Sequence, residues 1–404
     1  MQTSKPEAVG LCSRRLARIG DWMQSWVDSG RLPGMLTLVA RRGQVAWCEC
    51  RGQRDVAAGL PMQDDTIFRI YSMTKPLTSV AVMMLYEQGC FQLDDPIARY
   101  LPLFAQPRVF SAGTAERYET VAADGPITFK QLLTHTAGLT YGFLEATPVD
   151  ALYRQHGIDF QLGRGTLADM LVPLAALPLL SQPGREWNYS VATDVLGALV
   201  ETIAGQPFAD FLRERVLLPL GMQDTDFHVR DANHSRFAAN YARDRDGGLK
   251  QIDGARDSHY LRPRSLISGG GGLVSTAADY YRFCRFMLGR GALDGVRLLG
   301  RKTVEFMTRN HLDSDMAAMG QPRFSEASYH GIGFGLGFSV MLDPAKAEII
   351  GSPGEYAWGG AASTGFWIDP TEDLAVIVLT QLVPSSTYPI RRELRALSYA
   401  AIVE

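Results

Sequence analysis

Between residues 13 and 29, apolar side chains recur at Leu16, Ile19, Trp22, Met23, Trp26 and Val27, and the pattern stops at Gly30. A spacing near 3.6 residues predicts an amphipathic helix with a glycine stop. The period then changes. Residues 35–40 and 44–50 are short β-rich runs joined by Arg41-Arg42-Gly43, which predicts a hairpin. The far end of the chain mirrors this. Residues 365–369 and 374–380 flank Pro370-Thr371-Glu372-Asp373, a second hairpin signal, and 390–403 turns helical again. Between these ends, helical periods run through 76–102, 126–138, 166–178 and 192–217, broken by proline and glycine. Segments 104–126 and 226–265 are polar and irregular, so loops or lids are expected there.

Helix, strands, helices, strands, helix is an order in which both chain ends can share one sheet. It predicts an α/β (α+β) fold, with an antiparallel sheet flanked by helices and a helical domain inserted between its halves. The expected division is 1–70 and 260–404 for the discontinuous α/β domain, and 71–259 for the mainly helical one. The active site would lie in the cleft between them.

Composition narrows the function classes. The 404 residues are 46% hydrophobic and 21% charged, ordinary values for a folded chain. A net charge of −3 leaves no electrostatic footprint for nucleic acid. No run of about 18 apolar residues suggests a membrane span. The opening MQTSKPEAVGLCSRR lacks the apolar core of a signal peptide. Five scattered cysteines, Cys12, Cys48, Cys50, Cys90 and Cys284, read as reduced thiols in a cytoplasm. No Cys or His spacing completes a metal site. Neither a metal nor another cofactor is expected.

The sharpest chemical signal is Tyr71-Ser72-Met73-Thr74-Lys75, which follows a predicted strand or turn and opens a helical run. Residues three apart on a helix share a face, so the Ser72 hydroxyl and Lys75 amine can meet. A serine needs such a base to become a nucleophile. A second signal is Trp187-Asn188-Tyr189-Ser190, between a Pro-Gly turn and the next helix. A third is Trp358-Gly359-Gly360-Ala361, read as an edge strand whose free N–H groups suit an oxyanion. No serine has a G-x-S-x-G setting, so an α/β-hydrolase elbow is excluded. His135, in Leu133-Thr134-His135-Thr136, reads as a packing or capping histidine rather than a base.

Taken together, these segments resemble the penicillin-recognising serine enzymes: class C β-lactamases, D-Ala-D-Ala carboxypeptidases and family VIII carboxylesterases. The similarity includes Phe68 to Pro76, Leu132 to Leu139, Pro183-Gly184 to Ser190, Pro219 to Met222, and residues 269–276 leading into Asp279. It implies Ser72 as the acylated nucleophile and Lys75 with Tyr189 as the acid/base pair, with the choice of base left open. It implies backbone N–H groups of Ser72 and Ala361 as the oxyanion hole. Glycine at 360 would let that strand approach the substrate.

Two positions depart from the lactamase pattern. Trp358-Gly359-Gly360 stands where Lys-Thr-Gly is usual, and Val191 stands where Tyr-x-Asn has its amide. Both changes remove polar recognition of a charged lactam. The expected substrate is a small-molecule ester, cleaved by a serine carboxylesterase acting on short-chain or small esters. The alternatives are β-lactamase or D-Ala-D-Ala carboxypeptidase activity, or acyl transfer on the same fold. Trp358, Gly359, Gly360, Tyr141, Trp187 and Phe334 are expected to bind substrate, with Phe143 as a further aromatic near the site.

Overall fold

The computed structural model describes residues 1–320, 323–324 and 327–404. Its centre is an eight-stranded sheet. In chain order the strands are β1 (Gly34–Arg41), β2 (Gln44–Asp55), β3 (Leu60–Pro61), β4 (Ile332–Phe334), β5 (Ser339–Met341), β6 (Tyr356–Gly359), β7 (Gly365–Asp369) and β8 (Leu374–Thr380). In space they run β4-β5-β6-β7-β8-β1-β2-β3. Every neighbouring pair is antiparallel. The N- and C-terminal segments therefore meet along β1 and β8, where Met35 to Arg41 pair with Thr380 to Leu374.

Local chemistry explains the two hairpins. Arg42 and Gly43 both have positive φ, at 51° and 73°. That is the turn whose twist matches paired strands. The second hairpin joins Asp369 to Leu374. Both of the joined central strands are buried on both faces. On one face, Met35, Val39, Val376 and Val378 pack under the terminal helices α1 (Ser13–Asp28) and α2 (Ile390–Tyr399) through Leu16, Ile19, Met23 and Leu394. On the other, Leu36, Leu38, Ile377 and Leu379 join the main core with Met73 and Tyr280. Full burial of one such side chain is worth about 1.5–3 kcal/mol, so this double covering dominates the sheet's stability.

Several expectations change. Segment 104–126 is not a plain loop: Arg108–Gly113 and Tyr118–Ala122 pair as a hairpin. Both of its strands are mostly exposed, so no apolar alternation marks them. Segment 226–265 likewise holds a pair, Asn240–Arg243 with Leu249–Asp253, and Leu382–Val383 adds to it in parallel. The 76–102 period resolves into one helix, Thr74–Glu87, followed by short turns. The 192–217 period bends at Gly205, between Ala192–Ala204 and Phe208–Leu212. No single helix among the described residues is long and apolar enough to cross a membrane.

Candidate active site

Ser72 sits in the 3-10 turn Tyr71–Met73, between the strand Phe68–Arg69 and the helix Thr74–Glu87. The residue before it is strained: Tyr71 has φ +43° without being glycine. The Tyr71 hydroxyl, accepting a hydrogen bond from Asn240 at 3.0 Å, helps hold that conformation. One helical step on, Lys75 is 1% exposed. Its Nζ donates to Ser72 Oγ at 3.1 Å, to Tyr141 Oη at 2.9 Å and to the Gly270 carbonyl at 2.7 Å. Tyr189 Oη donates to Ser72 Oγ at 2.5 Å. The three residues singled out in the sequence thus meet at one oxygen atom. The ammonium also lies 4.6 Å from the Tyr189 ring centroid, within cation–π range.

Behind Lys75 lies a layer that sequence reading missed. Asp194 Oδ1 accepts from Gly270 N–H at 3.0 Å and from Ser268 Oγ at 2.6 Å. Asp194 therefore fixes the very residue whose carbonyl holds Lys75. A Cβ at position 270 would fall 2.5 Å from Asp194 Oδ2, so a larger residue there would displace the carboxylate. Burial pushes the Asp194 carboxyl pKa up, and the Lys75 charge pulls it back down. Burial, with the Asp194 charge added, pushes the Tyr141 phenol well above its usual range. In the sequence, Asp194 looks like an ordinary acidic residue in the first turn of a helix, so it carries no signal of its own.

The strand β6 is internal to the sheet, not an edge as expected. Its pairing with β5 covers only Tyr356 and Ala357, whereas β7 pairs along all four residues, to Gly359. The end of the strand thus runs past β5 to the mouth of the cleft. Gly360 has a reason other than substrate approach. A Cβ there would fall 2.3 Å from the Ile70 carbonyl oxygen. Glycine lets this strand end lie directly against the backbone leading to Ser72.

A cavity of about 1050 Å³ opens over these atoms, lined by Ser72, Tyr141, Phe143, Tyr189, Trp358, Gly359, Gly360 and Ala361 among others. Trp187 and Phe334 are not in its wall. They are 0% and 1% exposed, and pack behind Tyr189 and Trp358 at ring separations of 6.3 and 5.3 Å. Their expected contact with substrate is therefore corrected to support of the wall. His135 bonds Ser190 Oγ at 3.0 Å rather than Ser72. Burial, reinforced by the Lys75 charge, holds its pKa well below the ordinary 6.5. Among the described residues, no cluster of three or more His, Cys, Asp or Glu could hold a metal ion.

Comparison with known proteins gives the family. The family model described as "Beta-lactamase" matches residues 19–401. Esterase EstB of Burkholderia gladioli is 35% identical over 398 residues, covering 93% of each chain. The monacolin J acid methylbutanoyltransferase of Aspergillus terreus is 28% identical, covering 91% of each. The solved structure of EstCE1, a hydrolase with promiscuous acyltransferase activity, superposes with a TM-score of 0.81 at 30% identity. That match covers 96% of this chain and 99% of the other.

Proposed function

Since the chain belongs to the beta-lactamase family, we propose that it is a serine carboxylesterase whose acyl-enzyme forms on Ser72. The observation that carries this is the convergence of Lys75 and Tyr189 on Ser72 Oγ, beneath a cavity walled by the neutral Trp358. Ser72 Oγ attacks the ester carbonyl and its proton passes to the Lys75–Tyr189 pair, which accepts it in the state with Lys75 as the free amine or Tyr189 as the phenolate. The tetrahedral oxyanion is taken by the N–H groups of Ser72 and Ala361. The C–O bond to the alcohol then breaks as the same pair returns the proton to the leaving oxygen. Water repeats the sequence on the acyl-enzyme and frees the acid.

Purified protein is expected to cleave p-nitrophenyl acetate and butyrate, and a fluorophosphonate probe is expected to label Ser72. Ester turnover that survives Ser72→Ala would remove the nucleophile assignment. A clear preference for nitrocefin over these esters would overturn the reading of Trp358 and Val191 as unsuited to lactams.

A second reading is acyl transfer to an alcohol. It is favoured by the likeness to EstCE1 and to the methylbutanoyltransferase, and by a cavity large enough for an alcohol beside the acyl group. Turnover with a competing alcohol, followed by product analysis, separates the two. All five cysteines are free thiols, which fits a reducing compartment such as the cytoplasm.

A further inference from the structure

The helix α2 reaches the back of the cleft through Arg391. Its Nη2 donates to the Gly360 carbonyl at 2.9 Å and to the Thr364 carbonyl at 2.7 Å, and its Nε donates to Thr364 at 3.1 Å. The Thr364 carbonyl also accepts the Gly360 N–H at 2.9 Å, which closes the turn between β6 and β7. The guanidinium lies in a notch made by two glycines that face each other in the ladder, Gly359 and Gly365. A Cβ at 359 would fall 2.7 Å from Arg391 Cζ, and one at 365 would fall 3.0 Å from Nε. Two side chains are absent from this pair of strands, and one cation occupies the space.

The Gly360 carbonyl and the Ala361 N–H belong to the same peptide unit. In a planar trans peptide these two groups point opposite ways. A cation drawing on the oxygen leaves the nitrogen side more positive, so the N–H becomes a stronger donor, as in any polarised hydrogen-bond chain. A charge-assisted bond does this more than a neutral one. Ala361 is exposed to the cavity.

We propose that Arg391 is a positioning residue for catalysis: it holds the 360–364 turn and polarises the Gly360–Ala361 peptide, so that the Ala361 N–H binds the developing oxyanion. This rests on the reading of Ala361 as an oxyanion donor. The interaction matters most when the carbonyl oxygen gains charge, so it acts on the transition state and little on substrate binding.

The test uses Arg391→Met, which keeps the stem and removes the donors. Turnover of p-nitrophenyl butyrate and affinity for phenylboronic acid, which forms a tetrahedral anion on Ser72, are the readouts. Deleting a whole oxyanion donor costs about 10²–10³ in kcat. Weakening one is expected to cost about tenfold in kcat with KM within about twofold, and to weaken the boronate in the same proportion. The pH midpoint should stay in place, and Arg391→Lys should recover part of the loss. Wild-type kcat and boronate affinity in a folded Arg391→Met overturns the inference. So does a kcat loss with unchanged boronate affinity, which marks a merely structural role. If the Met variant does not fold, Arg391→Gln carries the same criteria. Ala361→Pro deletes the N–H itself. Loss in that variant beside a normal Arg391→Met sinks the Arg391 role alone, whereas no loss in either sinks the oxyanion reading beneath it.

Discussion

Burying the Lys75 ammonium carries a desolvation cost of several kcal/mol unless its protons find partners. Here the Ser72 hydroxyl, the Tyr141 phenol and the Gly270 carbonyl take all three. Lys75→Met removes the cation and leaves that carbonyl unpaired. The expected result is a fall in kcat of about 10³-fold or more on p-nitrophenyl butyrate, as for other members of a nucleophile–base unit. A fall below tenfold would mean that Tyr189 handles the serine proton without Lys75. His135 supplies a prediction with a sign. Its folded pKa is depressed below 6.5 by burial, then by Lys75. The unfolded chain therefore binds a proton that the native state refuses. The stability tied to neutral His135 is complete above pH 6.5 and drains away as pH falls toward the depressed value. Urea unfolding at several pH values should show the wild type losing stability below that point. His135→Gln should flatten that slope, and an equally steep slope in the variant would clear His135 of the effect.

Two elements that are far apart in the chain make the site, and one glycine controls their contact. The β6 strand end lies on the Ile70 backbone because position 360 has no side chain. Gly360→Ala forces the two apart, with backbone on both sides of the clash. Misplacing a catalytic group by about 1 Å can cost about 100-fold, and a loss of that order in kcat is expected with the melting temperature little changed. Near-normal kcat in this variant would show that the strand end can shift without moving Ala361. The contact also shows what was legible beforehand. Ser72, Lys75 and Tyr189 were readable because each sits in a short local pattern at a helix entrance. The hairpins were readable from turn residues at 42–43 and 370–373. Asp194 and Arg391 were not, because each acts through the backbone of a distant segment, and no local pattern encodes a partner some 30 to 76 residues away. Trp187 and Phe334 were placed a layer too far forward, since an aromatic near a motif reads the same whether it faces the cavity or props up the wall. The hairpin at 108–122 escaped because a strand exposed on both faces has no apolar period.

At the scale of the whole molecule, a buried cation ties the nucleophile segment to the small sheet. Arg69 is 0% exposed, three residues before Ser72. It donates to Asp253 at 2.7 Å, to the Ala238 carbonyl at 2.6 Å and to the Gly254 carbonyl at 3.2 Å, so it ties this segment to the small sheet of residues 240–253. Its guanidinium lies 4.0 Å from the Phe237 ring centroid. Gln381, just past β8, brackets the Arg69 backbone from the other side, accepting its N–H at 3.1 Å and donating to its carbonyl at 3.0 Å. The main sheet, the small sheet and the catalytic turn therefore meet at this residue. Removing one partner of a buried pair strands the other, at a cost of about 3–5 kcal/mol. Asp253 keeps 22% exposure and a bond from Ser258, so the lower end of that range is expected for Arg69→Met. Urea denaturation measures it. A second readout follows from the geometry. Loosening this junction frees the strained Tyr71 conformation, so fluorophosphonate labelling of Ser72 should slow at urea concentrations where the variant is still folded. A loss under about 1 kcal/mol, with labelling unchanged, would mean that the sheet contacts hold the nucleophile turn without Arg69.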